Sequence, residues 1–163
     1  MKLPKQLKKE RLEAHIRAVL EKESIQLCSD SELYIPVLKI NPELRRHLFY
    51  AKSLSELLIG YEEIEVFLTK ELHGLQKSHN QSDRISRLLL ISNDGSSRFY
   101  RQFEFLRKKQ GERVLICRLD LDSSMMGNIL GLKNKQVKAI LLNRKNSVIN
   151  VLKSLIQGPL VRT

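Results

Sequence analysis

Cysteine is scarce in this chain, long apolar runs are absent, and acidic residues thin out in the second half. Each shortage narrows the possibilities. Cys28 and Cys117 stand far apart with no CxxC pair, which predicts reduced, buried thiols in an intracellular protein. The apolar runs are far too short to span a bilayer, so no membrane partner is expected. The basic start, Met1 to Lys9, is not followed by an apolar core and a small-residue cleavage site, so no secretory signal is expected. No repeat or low-complexity tract is found. No GxGxxG, GxxxxGKS/T or GxSxG motif occurs, which leaves out the common phosphate loops and the nucleophile elbow.

What is present is positive charge, and it is unevenly placed. Residues 1–40 hold 8 basic and 6 acidic groups, residues 41–83 hold 5 and 7, and residues 84–163 hold 16 and 5. The net charge of +11 therefore resides in the last stretch. Such a lopsided surface favours a polyanion, usually nucleic acid, over a merely solvating lysine coat. With 163 residues and 42% apolar content, the chain can bury a core of its own.

Periodicity supplies the elements. Leu7, Leu12, Ile16, Val19 and Leu20 predict one helix over residues 5–23, docked on the domain or on a partner. Residues 24–30 read as a connection. Leu33–Leu38 is extended, and Pro36 makes it an edge strand or an irregular arm. Asn41-Pro42-Glu43 reads as N-cap, first-turn proline and first-turn acid of a helix with Leu44, Leu48 and Ala51 on one face. Leu57–Ile59 stops at Gly60, and a helix with the stripe Ile64, Phe67, Leu68 and Leu72 begins near Tyr61. His73–Asp83 reads as a flexible polar loop with His73 and His79 exposed.

Arg87–Ile91 is apolar without alternation, as a central strand would be. Asn93-Asp94-Gly95-Ser96 turns the chain, with Ser96 or Asp94 capping a helix whose Phe99, Phe103 and Leu106 face the sheet and which Gly111 ends. Val114–Leu119 is the next strand. Ser123 is expected to cap a short helix that Gly131 terminates. Val137–Leu142 is the last strand. Asn146 or Ser147 is expected to cap a final helix with the stripe Val148, Val151, Leu152 and Leu155, and Gly158-Pro159 stops it. Strands alternating with helices mark an α/β fold. Residues 1–40 form a basic N-terminal helix and extended arm, and residues 41–163 the domain.

One motif resembles catalytic machinery. Asp120-Leu121-Asp122 after an apolar strand resembles the haloacid-dehalogenase phosphotransferases, whose first Asp attacks phosphorus and whose pair helps hold magnesium. The motif comes late in the chain, and no lysine and acidic pair follows to complete such a site. A turn with an N-cap is the favoured reading. Likewise Ser92-Asn93-Asp94-Gly95 could hold an anion on backbone amides, although a plain strand-to-helix turn accounts for it.

Met126-Gly127-Asn128-Ile129-Leu130-Gly131, a basic loop and then an apolar strand resemble the superfamily of ribosomal proteins that bind RNA kink-turns. That superfamily carries a hydrophobic-Gly-x-Ala-x-Gly segment here, with Ile129 standing in place of the Ala. Gly60-Tyr61-Glu62-Glu63-Ile64 is similar to its Gly-x-Asn-Glu-Val turn, with Glu62 in place of the Asn and Val66 in place of a lysine three residues beyond the glutamate. The weakened turn, the N-terminal extension and the polar insertion at 73–83 most resemble the divergent ribonuclease P and ribonuclease MRP subunits of fungi and animals.

The resemblance implies a three-layer α-β-α sandwich with a small mixed sheet, plus the N-terminal helical extension. It implies an RNA interface made of Gly60, Tyr61, Glu62 and Glu63 on one loop, and Gly131, Leu132, Lys133, Asn134, Lys135 and Lys138 on the other. The expected protein is a non-catalytic RNA-binding subunit of a ribonucleoprotein, ribonuclease P or MRP, in tRNA 5′ and rRNA processing. Its partners would be structured RNA and other protein subunits, in the nucleus or nucleolus, with no cofactor and no metal. The alternative is a protein-interaction module of the same fold that has lost direct RNA recognition. Glu62, Glu65 and Val66 motivate it, and helix 5–23 would be its docking element.

Overall fold

The computed structural model describes residues 1–79 and 82–156. Among these the chain forms α1 (Lys5–Lys9), α2 (Glu13–Lys22), β1 (Ser24–Gln26), β2 (Tyr34–Leu38), α3 (Pro42–Ser53), β3 (Leu57–Ile59), α4 (Tyr61–Lys77), β4 (Arg87–Ile91), α5 (Ser97–Gln110), β5 (Val114–Leu119), α6 (Ser123–Ile129), β6 (Ala139–Leu142) and α7 (Lys145–Ser154). The strands lie in the order β1-β2-β5-β4-β6-β3. β4 is central, parallel to β5 and antiparallel to β6. β2 also runs parallel to β5, whereas β3 runs antiparallel to β6. The sheet is therefore mixed.

Alternation along the strands divides two cores. Leu88 and Leu90 of β4, Cys117 and Leu119 of β5, and Ile140 and Leu142 of β6 face α1, α2, α3, α6 and α7. Leu89, Ile91, Val114, Ile116, Ala139 and Leu141 face α4 and α5. The fold is an α-β-α sandwich, as the motifs imply. β4 is covered on both faces, so its unbroken apolar run is what a central strand requires. Both cysteines are free and buried, and burial pushes the Cys117 thiol well above its ordinary range.

The N-terminal reading needs correction. Helix 5–23 is two helices, interrupted where Arg11 takes φ +60°. In one continuous helix Leu7 and Ile16, nine residues apart, would point roughly 180° apart. The break restores phase, and Leu7, Ile16 and Leu20 all enter the core. Residues 1–40 are not an appendage: β1 and β2 lie in the sheet, and Leu3 is fully buried. The segment 24–30, read as a connection, contains edge strand β1, and β2 lies between β1 and β5. Pro36 is tolerated there because the register to β5 begins only at Val37.

Other boundaries shift for identifiable reasons. α4 continues through His73 and Gly74 to Lys77, because Leu72 and Leu75 prolong the stripe set by Leu68. The polar loop thus begins at Ser78; Asn80 and Gln81 lie outside the described residues, and His73 and His79 are exposed. Asp122, not Ser123, caps α6 by accepting from Met125 N at 2.8 Å. α7 starts earlier than expected, with Arg144 at its N-cap and no side-chain cap. Ser147, inside that helix, donates to Glu56 Oε1 at 2.9 Å instead. Gly158-Pro159 lies outside the described residues. The caps at Asn41 and Ser96 form as expected, accepting from Leu44 N at 2.8 Å and Phe99 N at 3.1 Å.

Candidate functional site

Strand direction decides where the two loops meet. β2, β3, β4 and β5 all point the same way, so α3, α4, α5 and α6 start at one edge of the sheet. The chain enters antiparallel β6 at that same edge, through residues 130–138. Carboxyl ends of strands are where open α/β sheets most often hold ligands.

The first loop is a sharp turn into α4. Gly60 has φ +94°, a conformation that only glycine takes without strain. Its N–H donates to Ala139 O at 3.0 Å, which ties the start of α4 to the start of β6. No side chain caps α4 at Gly60, so its first-turn amides keep capacity for an acceptor. Tyr61 is half-buried, its ring 5.2 Å from that of Phe103. Burial, and then the Glu65 carboxylate, raise its phenol above the ordinary range. Glu62 and Glu63 are exposed in the first turn, where acids suit the positive end of the helix dipole.

The second loop is shaped by a glycine that sequence reasoning left off the site. A Cβ on Gly127 would sit 1.9 Å from Lys135 O, so no larger residue fits with the loop in place. Leu132 N donates to Gly127 O at 2.9 Å and Val137 N to Ser123 O at 2.9 Å, fastening both ends of the loop to α6. Gly131 and Asn134 have φ of +77° and +57°. Clamped in this way, the loop holds Lys133, Asn134 and Lys135 out into solvent. Neither lysine has an ion-pair partner among the described residues.

Lys138 ends the second loop and is held by the turn after β4 and by α5. Its carbonyl accepts from Ser92 N at 2.9 Å, and its ammonium lies 5.8 Å from the Phe99 ring centroid on α5. That is within cation–π range. Gly60 is thus tied to Ala139, the neighbour of Lys138, while Leu132–Lys135 lie farther along the edge in the loop after α6.

The turn after β4 has other duties. Tyr100 Oη donates to Ser92 O and accepts from Gly95 N, each at 2.8 Å, so the Gly95 amide is occupied. Asp94 accepts from Ser123 N at 3.1 Å and from Ser123 Oγ at 2.7 Å, pinning the turn to α6. Burial pushes the Asp94 carboxyl up, but its polar neighbours Ser92 and Ser123 outweigh this and hold it below the ordinary range. Asp120 accepts from Asn93 Nδ2 at 3.3 Å, and Asp122 serves as the α6 cap. Among the described residues no three His, Cys, Asp or Glu side chains gather as a metal-binding set, and no helix is long and apolar enough to cross a membrane.

A second residue absent from the sequence reading is Phe49. It lies outside the stripe of Leu44, Leu48 and Ala51 and is 52% exposed. Its ring edge would lie only 2.9 Å from a Cβ on Gly131. The signal was present, an aromatic residue out of phase with its helix's core face, but only the fold places it beside the loop.

No family model matches the chain. No curated protein matches it either. Among solved structures, it is similar to a protein with unknown function from Bacillus halodurans, at 15% identity and a TM-score of 0.49, covering 71% of this chain and 98% of that one.

Proposed function

We propose that the chain is a non-catalytic RNA-binding subunit of a ribonucleoprotein, with ribonuclease P or ribonuclease MRP as the assembly. It would serve tRNA 5′ and rRNA processing in the nucleus or nucleolus, alongside other protein subunits. The observation that carries the reading is the bond from Gly60 N to Ala139 O. It joins the uncapped start of α4 to the basic approach to β6, the two loops that the motif resemblance pairs as an RNA grip.

The chemistry divides between them. Lys133, Lys135 and Lys138 offer cations to phosphate, which positions an RNA without reading it. The start of α4 offers amides together with the carboxylates of Glu62 and Glu63. A carboxylate accepts from guanine N1 and N2 and repels phosphate, so base edges belong at α4 and backbone at the lysine loop. Filter binding across a salt series tests this. The expected result is preference for a folded RNA over heparin, with affinity falling steeply as salt rises. Equal retention of both polyanions would sink the reading.

The second reading, a protein-interaction module, draws on Glu62, Glu65 and Val66; Glu62 and Val66 project outward from α4, Val66 being 49% exposed, whereas Glu65 is half-buried and accepts from Thr69 Oγ1 at 2.6 Å. Its proposed docking element, helix 5–23, is spent on the chain's own core through Leu7, Ile16 and Leu20. Pull-downs from nuclease-treated and untreated extract separate the two, since an unchanged partner set favours this module.

A further inference from the structure

The groove between α3 and α6 adjoins the second loop and contains features that the two-loop grip does not use. It is lined by Pro42, Arg45, Arg46, Phe49, Asn128 and Gly131. Exposing half of a phenylalanine costs hydrophobic stabilisation, yet this ring is not loose. It rests against Gly131, whose φ of +77° and missing side chain leave room for it. The Arg45 guanidinium has no ion-pair or hydrogen-bond partner among the described residues, and that of Arg46 meets the Glu43 carboxylate at 2.6 Å. Asn128 presents an exposed amide on the facing helix.

We propose that this groove is a nucleotide-binding subsite, in which an unpaired base stacks on Phe49 while Arg45 and Arg46 hold its flanking phosphates. The proposal rests on the RNA-binding reading above and extends it from Gly131 of the second loop onto α3, whose Arg45, Arg46 and Phe49 belong to neither loop. Three physical points favour RNA as the occupant. Sequence-tolerant recognition of single-stranded nucleotides combines an exposed aromatic face with cations along the backbone, the combination found here. The groove continues through Gly131 into the Lys133–Lys135 loop, so one strand could run along both. An apolar protein segment would have to bring acids to meet two arginines, whereas RNA supplies phosphates at every step. The Asn128 amide, with donors and an acceptor, can meet a base edge.

The test uses the full chain and two RNA probes, a blunt duplex stem and the same stem carrying a three-nucleotide purine bulge. Phe49→Ala should weaken binding of the bulged stem about tenfold or more and leave the duplex nearly unchanged, since stacking requires an unpaired base. Phe49→Trp should retain the preference for the bulge. Arg45→Ala with Arg46→Ala should weaken both probes and lower the salt slope by about 1 to 2. If wild type binds the bulged stem and Phe49→Ala binds it equally well, the subsite is wrong while the RNA-binding reading stands. If wild type binds neither probe above heparin, both fall. A photo-crosslinking residue at position 49 that captures protein rather than RNA from extract also overturns the subsite and makes the groove a protein contact.

Discussion

Two charged regions at opposite edges of the sheet are built on different principles. At one, Glu71 of α4 bridges Arg87 and Arg113. Arg113 is only 5% exposed and also donates to Gln110 Oε1 at 2.6 Å and to Leu68 O at 3.3 Å. Arg113 is buried, Glu71 and Arg87 are part-buried, and the three are paired so that they tie α4 to the starts of β4 and β5. At the other, Lys133, Lys135 and Lys138 are exposed, and Lys133 and Lys135 have no carboxylate partner among the described residues. Charge paired inside a fold is structural, whereas charge held outward by a clamped loop remains available to a ligand. Net charge alone conceals this distinction.

The largest effect should come from breaking the paired region. Glu71→Ala leaves Arg113 buried without its carboxylate and should cost about 3 kcal/mol of stability, read by urea unfolding. RNA affinity measured under native conditions should hardly change. A loss of RNA affinity in a folded Glu71→Ala variant would erase the contrast between the two regions.

Next is Gly127→Ala. Its new methyl meets Lys135 O, so the loop must move, at an expected cost of about 2 kcal/mol. Here stability and RNA affinity should fall together, because the clamp positions the lysines. Unchanged RNA binding would mean that loop shape is irrelevant to recognition.

Lys133→Ala with Lys135→Ala should do the reverse of Glu71→Ala. Stability should stay within about 0.5 kcal/mol, while the salt dependence of RNA binding drops by about 1 to 2 units. Lys108→Ala with Lys109→Ala is the control. Those residues lie in the last turn of α5, where basic side chains complement the helix dipole. Equal losses from the two pairs would mean diffuse attraction and no site.

The smallest effect concerns pH. The Asp94 carboxyl is held below its ordinary range, so its bonds to Ser123 stabilise the fold above the ordinary aspartate pKa, about 3.9. That contribution is lost as pH falls through the lower folded value. In Asp94→Asn the acid side of the stability profile should flatten slightly, read by chemical denaturation between about pH 5 and pH 3. A profile identical to wild type would mean that the Asp94–Ser123 link contributes nothing.

Much of this architecture was legible in residue order, because the signals involved are local. Asn41-Pro42-Glu43 starts a helix through contacts within one turn, Gly111 ends one at φ +77°, and four consecutive apolar residues, Leu88 to Ile91, require cover on both faces. Where cues compete locally, residue order does not rank them. Asp122 and Ser123 are both good caps, and the winner was settled by Asp94, which engages Ser123 from a different turn. The outward aromatic Phe49 was equally illegible, since nothing near it in sequence indicates Gly131.

Residue order alone settles the α/β alternation, most helix starts, the central strand and the concentration of positive charge after residue 84. These depend on propensity, period and composition, which act over a few residues. The folded chain adds that residues 1–40 supply two strands of the sheet, that β6 runs antiparallel to β4, that Gly127 admits the Lys135 carbonyl, and that Gly60 bonds to Ala139. Each of these is a contact between distant segments. Its energy exists only once the chain has paid the entropy of bringing them together, and no local pattern records which partner will be found.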